Sequence, residues 1–153
     1  MPESARTRFL RLWFNWFPAY RGTGARVTYI ADDYREVRIR LPLSWRTRNY
    51  VGTIFGGSLY AALDPMYMLM LIRILGPGYV VWDKEANIRF RRPGRETLYA
   101  RFRISQETID AIVQAVERDG KVDCVFDVDL ADAAGTVHAT CIKTVYVARR
   151  GDR

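Results

Sequence analysis

The residues of this chain whose types and spacing could do chemistry are the run Asn49-Tyr50-Val51-Gly52-Thr53-Ile54-Phe55-Gly56-Gly57 and the single acid beyond it, Asp64. Two glycines at a helix start present backbone N–H groups that no Cβ shields. A helix start also carries partial positive charge, so an incoming carbonyl oxygen is polarised there. A carboxylate further along the same helix can attack that carbonyl or take a proton from water. A polarising entrance and a nucleophile or base are the parts needed to hydrolyse a thioester.

The spacing sets a condition on that chemistry. Eight residues separate Gly56 from Asp64, which at a rise of ~1.5 Å per residue puts them ~12 Å apart on one helix. One carbonyl group cannot touch both from a single chain. Two such helices set antiparallel can bring them together, so catalysis here predicts a homodimer or a dimer of dimers. Each residue also has a purely structural use. The glycine pair permits a tight loop-to-helix turn, Asn49 suits a loop cap, and Asp64 could serve the kink at Pro65, which orphans the carbonyl of Ala61. An unpartnered carboxylate on an apolar helix is costly, however.

The elements that must position these residues follow from periodicity. Residues 9–17 read as a short, strongly apolar helix stopped at Pro18, followed by a turn at Arg21-Gly22-Thr23-Gly24. Residues 27–31 and 35–41 read as strands around Asp32-Asp33, with Val37, Ile39 and Leu41 alternating against Glu36, Arg38 and Arg40. Residues 57–75 predict one helix, apolar nearly all round and ended by Gly76-Pro77-Gly78. Asp64, Pro65 and Arg73 within it argue for a core helix rather than a membrane span. Strands are expected at 80–92, 97–104, 121–130 and 136–148, with a polar helix at 105–118 capped by Ser105. One central helix and five or six long antiparallel strands imply an α+β fold, a curved sheet wrapped around the helix. A single domain spans residues 1–153, with a helix and turn in 1–24 and the core in 27–148.

Inward-facing parity on the 80–92 strand selects Ala86, Ile88 and Phe90, and with them Trp82 and Lys84. An inward lysine needs an anionic partner, and Asp64 is the candidate; Lys84 at a wet strand start, paired with Asp83 or Glu85, is the alternative. Met66, Met68, Met70, Leu59, Tyr60 and Leu63 could line an acyl or aryl pocket, although Met-rich buried helices pack as core by default. Arg89 and Arg91, with Arg92, could meet phosphates or stand as solvated charges.

Composition narrows the classes. Hydrophobic residues make up 49% and charged residues 27%, which is ordinary for a globular domain and not a disordered one. The net charge is +7 with 24 Lys+Arg, mostly arginines dispersed along strand-like segments, so no nucleic-acid motif appears beyond the charge itself. Cys124 and Cys141 are too few for a disulfide framework and read as buried thiols in a reducing cytoplasm. With one histidine, His138, a metal site is not expected, and no cofactor is implied. No signal peptide is read in the first residues.

The pattern Asn-x-x-Gly-x-x-[His]-Gly-Gly, with Asp seven residues after the second glycine, resembles that of hotdog-fold acyl-CoA thioesterases, in particular the phenylacetate-pathway branch. Element order supports the resemblance over residues 27–147. It implies a site between two subunits in which the Gly56 or Gly57 N–H polarises the thioester carbonyl. Asp64 acts as nucleophile or general base, and Asn49 orients substrate or water. Arg89 and Arg91 would meet the phosphates of coenzyme A. Phe55 departs from the pattern, because that position is often histidine in the branch it resembles. Two readings stand: a cytoplasmic acyl-CoA-type thioester hydrolase, and a non-catalytic hotdog module that binds an acyl or lipid-like ligand with the aromatic N-terminal helix as cover or peripheral membrane contact. A dehydratase would need a histidine beside a carboxylate, and His138 lies far away in the last strand.

Overall fold

In the computed structural model, which describes residues 1–151, six antiparallel strands form one sheet in the order β1-β2-β4-β5-β6-β3. The strands are β1 (Arg26–Ile30), β2 (Glu36–Leu41), β3 (Tyr79–Phe90), β4 (Leu98–Arg103), β5 (Lys121–Ala131) and β6 (Val137–Arg149). Hydrophobic alternation decides which way each faces. In β4, Leu98, Ala100 and Phe102 are buried while Tyr99, Arg101 and Arg103 are exposed. In β5, Cys124, Val128 and Leu130 turn inward. The β4–β5 ladder is short, in register at Tyr99 and Ala131, whereas β5–β6 and β6–β3 pair along most of their lengths; β3, at the end of the strand order, is a long edge strand.

The buried face of the sheet receives the central helix, which is broken in two: α3 (Gly56–Leu63) and α4 (Met66–Leu75). The single helix expected over 57–75 is interrupted because Pro65 has no N–H to continue the ladder. Asp64 and Pro65 stay near helical dihedrals, so the axis is jogged rather than lost. The buried Tyr20 hydroxyl donates to the carbonyl of Ala62, at 3.0 Å, on the turn beside the break. Residues 56–75 are long and apolar enough to cross a bilayer by composition. Here Leu59, Ala62, Leu63, Met66, Met70 and Leu71 are instead buried in the core, as expected for a central helix. The whole is the α+β hotdog arrangement: a curved six-stranded sheet around one helix, with an extra helix at the N-terminus.

That extra helix, α1 (Ala5–Trp16), starts earlier than the aromatic run suggests, because Ser4 and Thr7 form a reciprocal capping box. Its neighbour α2 (Pro18–Arg21) begins at Pro18, which preorganises a first turn. Asn15 clamps α1 to the sheet edge: its Nδ2 donates to Val27 O at 2.9 Å and its Oδ1 accepts from Val27 N at 2.8 Å. Helix α5 (Gln106–Asp119) is capped by Ser105 as its sequence predicts, and buries Ile109, Ile112 and Val116. Cys124 and Cys141 are both buried and unbridged.

Candidate active site

The two ends of α3 are built differently. At the start, Phe55 occupies the cap position without a side-chain hydrogen bond to the helix. Among the described residues no acceptor meets the N–H groups of Gly56 and Gly57. The two glycines let aromatic rings lie close over the helix start. A Cβ at Gly57 would lie 2.4 Å from the Phe55 ring, and one at Gly56 would lie 3.3 Å from the Phe90 ring. The entrance is therefore a pair of backbone donors flanked by two half-exposed aromatic rings, Phe55 and Phe90. Such a site is neutral and apolar but for the helix's own dipole.

The loop before it is held by Asn49. Its Oδ1 accepts from Val51 N at 3.1 Å and Thr53 N at 2.9 Å, and its Nδ2 donates to Thr53 Oγ1 at 2.8 Å. Gly52, at φ 83°, lets this loop turn tightly enough for Asn49 to close it. The side chain thus organises the loop that delivers Gly56 and Gly57.

At the other end, Asp64 stands in a charge cluster. Its Oδ1 accepts from the Tyr60 hydroxyl at 2.6 Å and from Lys143 Nζ at 2.8 Å, while Asp64 itself is 44% exposed. Lys143 is 1% exposed, and its Nζ also lies 3.1 Å from Asp83 Oδ1, an ion-pair distance without hydrogen-bond alignment. Ala86 sits opposite Lys143 in register, a small residue beside a long one. Burial raises the Asp64 carboxyl, but the hydrogen bonds from Lys143 and Tyr60 and the Lys143 charge outweigh it and hold Asp64 below the usual carboxylate range. Burial likewise disfavours charge on Lys143, and the two carboxylates overcome it and hold the ammonium above the ordinary lysine value. Burial dominates at Asp83, which is held above the usual range despite Lys143, with Asp64 adding repulsion. Two carboxyl groups share one buried cation, and their proton affinities are pushed apart. Asp64 is kept ionised, with Oδ1 anchored and Oδ2 open.

This geometry corrects the expectation for Lys84 and Trp82. A β-bulge between Asp83 and Glu85 shifts the register of β3, so Val81 and Asp83 face inward on one side of it and Ala86 and Ile88 on the other. Lys84 and Trp82 are exposed, and Lys84 pairs with Asp123 at 2.6 Å, not with Asp64. The inward lysine is Lys143, which the sequence reading missed. Its signal was present, because Lys143 shares parity with Ala139, Cys141, Val145 and Val147, all fully buried.

Tyr60 is drawn into the cluster through its hydroxyl. Met68 lines a groove beside Asp64, together with Phe14, Phe17, Tyr20, Tyr60 and Leu69. Phe14, Phe17 and Leu69 also line an adjoining apolar pocket of ≈ 220 Å³ beneath α1, together with Trp13, Met66 and Met70. Arg89 and Arg91 lie on the outer side of the sheet, opposite the Phe90 ring, and Arg91 Nε donates to Thr140 Oγ1 at 2.9 Å. His138 is a structural pin: its Nδ1 contacts Pro93 O at 3.0 Å and its Nε2 contacts Asp132 Oδ2 at 3.1 Å.

Solved structures share this fold over nearly the whole chain. A Pseudomonas aeruginosa protein of unknown function, described as a probable thioesterase, superposes with a TM-score of 0.83 at 22% identity, over 98% of this chain and 99% of that one. A thioesterase from Haemophilus influenzae gives 0.66 at 16% identity, over 92% of this chain and 88% of that one. A variant of a Staphylococcus aureus thioesterase gives 0.62 at 15%, over 84% and 96%. No curated protein matches the chain in sequence. The family model described as "Domain of unknown function (DUF4442)" matches residues 5–147, and the chain belongs to that family.

Proposed function

We propose that this protein hydrolyses acyl-CoA-type thioesters in a site shared between two subunits, with Asp64 as nucleophile or general base and the Gly56 and Gly57 N–H groups holding the carbonyl oxygen. The observation that carries the reading is the Asp64–Tyr60–Lys143 cluster. A partly exposed carboxylate is kept ionised by a buried lysine, with one oxygen tied down and the other left open beside an apolar groove.

The apolar groove and the pocket beyond it suit the acyl or aryl part of the substrate. An apolar cavity of about 150 Å³ accommodates benzene, so ≈ 220 Å³ beneath Phe14 and Phe17 admits a larger apolar group. The carbonyl must then lie near Asp64, while polarising amides stand ~12 Å away on the same helix. A second copy removes that mismatch. β3 presents one unpaired edge along its 12 residues, with Trp82 and Phe90 exposed on it, and such an edge is a template for pairing. An antiparallel pairing of two β3 strands centred near Ala86 and Asn87 sets Phe90 opposite the partner's Asp83. Because Phe90 touches Gly56 and Asp83 adjoins Lys143 and Asp64, that register carries the entrance of one chain to the partner's Asp64. Each two-fold dimer then holds two complete sites.

The test is thiol release from short aryl-, medium- and long-chain acyl-CoAs by wild type and by Asp64→Asn. Release that the substitution abolishes supports hydrolysis. Ligand-induced stabilisation with no release from any substrate would instead identify a binding module, the reading that Phe55 in place of a polar residue at the entrance favours.

A further inference from the structure

Helix α1 has two apolar faces, and only one of them belongs to the core. Thr7 is buried, and Leu10 and Phe14 pack on the core beneath. Phe9, Leu12, Trp13 and Trp16 recur at i, i+3, i+4 and i+7, so at 3.6 residues per turn they form a second stripe about 100° wide. That stripe faces solvent: Phe9 is 72% exposed, Trp13 55% and Trp16 69%. A continuous exposed stripe of large apolar residues marks an interaction surface, unlike single apolar residues scattered over a protein.

The charges around it identify the partner. By the same helical arithmetic Arg6 and Arg8 flank the stripe on opposite sides, and both are exposed. The Arg21 guanidinium lies 4.6 Å from the Trp16 ring. A second exposed pair, Trp45 with Arg46 stacked on it, stands on the loop that Gly24 abuts. Residues 1–31 hold Arg6, Arg8, Arg11, Arg21 and Arg26 against one acid, Glu3; Arg11 pairs with Glu3 at 2.8 Å and Arg6 reaches Asp32 at 3.5 Å, while Arg8 and Arg21 meet no acidic partner among the described residues. A second copy docking by the same stripe would set arginine against arginine, because a two-fold contact is self-complementary. An anionic headgroup layer has the opposite property: it neutralises the arginines while the acyl boundary takes the rings. Trp and Phe beside basic residues suit that depth.

We propose that α1 docks this protein on an anionic lipid bilayer, lying in the interface with Phe9, Leu12, Trp13 and Trp16 inserted and Arg6, Arg8 and Arg21 at the phosphates. Trp13 also lines the apolar pocket, but Phe9, Leu12 and Trp16 line neither pocket nor groove, so the surface can be tested apart from the Asp64 site. The experiment uses the full chain and vesicles of phosphatidylcholine with or without phosphatidylglycerol, read by co-sedimentation and by tryptophan emission. Wild type is expected to sediment with the anionic vesicles, with emission shifted to the blue, and to be released by added salt. The triple variant Phe9→Ser/Leu12→Ser/Trp16→Ser, whose positions line neither the groove nor the pocket, loses binding while thiol release and the dichroism melt are unchanged. Should that variant fold poorly, Arg8→Glu leaves the stripe intact and weakens binding by about fivefold or more, the factor expected when one surface cation near the headgroups is lost. Wild type that sediments with neither vesicle overturns the proposal. So does stripe-dependent self-association without vesicle binding, which would mean a second copy. Equal binding to phosphatidylcholine alone that Arg8→Glu leaves unchanged overturns the anionic requirement.

Discussion

The two ends of α3 solve opposite problems with opposite materials. Its start uses backbone donors, two glycines and two aromatic rings, with no charged side chain at the cap. Its end gathers Asp64, Lys143, Asp83 and Tyr60 around a cation that water does not reach. The start can stabilise charge that appears on an oxygen but cannot create it. The end supplies a permanent negative charge and no backbone donor. Neither end is a hydrolytic site alone, and α3 holds the two apart, so the hydrolysis proposed above requires a second chain.

The largest effect should come from removing the charge at the second end. Asp64→Asn keeps the shape and the Tyr60 contact but loses the open carboxylate oxygen, and thiol release should fall by at least about a hundredfold. The dichroism melt should move by less than in Lys143→Met, because Asp64 is half-exposed and Asp83 stays beside the Lys143 ammonium. Unchanged release would remove Asp64 from the chemistry.

The contrast predicts complementation between chains. In Gly57→Val the added side chain collides with the Phe55 ring, which already lies 2.4 Å from where a Cβ would stand. The displaced ring and the valine then crowd the two donors, so this variant should lose most of its activity. Mixed with Asp64→Asn, each heterodimer regains one site with an intact entrance and an intact acid. Random mixing of a two-fold dimer should restore about a quarter of wild-type activity. No recovery on mixing would place both ends in one chain's site and break the comparison.

Much of this was legible in sequence, and the parts that were not share one cause. Strand parity placed Leu98, Ala100 and Phe102 inward, and the Ser105 cap located α5, because both are local patterns. The same parity failed at Trp82 and Lys84, because the bulge at Lys84 has no glycine or proline to announce it and flips every side chain before it. Lys143 shares the parity of buried Cys141 and Val145, but its partner Asp64 lies 79 residues away, and parity along one strand does not name a carboxylate on a distant helix. The break at Pro65 was readable; that Tyr20 would serve a carbonyl beside it from 42 residues away was not.

Lys143 sets the third effect. Lys143→Met leaves Asp64 and Asp83 without their shared cation, and losing one partner of a buried charge pair costs about 3 kcal/mol, measurable as a lower denaturant midpoint. The pH dependence should move as well. In wild type the Asp64 carboxyl lies lower folded than unfolded, so its stabilisation is present at neutral pH and lost only as pH falls through the depressed value. The acid limb of thiol release should therefore lie below the ordinary carboxylate range. In Lys143→Met burial acts unopposed by the cation, and that limb should rise. A limb that stays in place would show that Lys143 does not hold the charge on Asp64.

Tyr60 provides the smallest and most discriminating effect. Its hydroxyl donates to the same Oδ1 that Lys143 holds, at 2.6 Å, so Tyr60→Phe removes one of two anchors and leaves the ion pair. Water can reach the half-exposed carboxylate and replace most of that bond, so the stability cost should be about 0.5–1 kcal/mol. Turnover should fall only several-fold, with the acid limb shifting upward by less than in Lys143→Met. If Tyr60→Phe instead matched Asp64→Asn in its loss, the hydroxyl would be touching substrate. The charged end of α3 would then carry a donor of its own, and a single chain would come closer to a complete site than the contrast between its two ends allows.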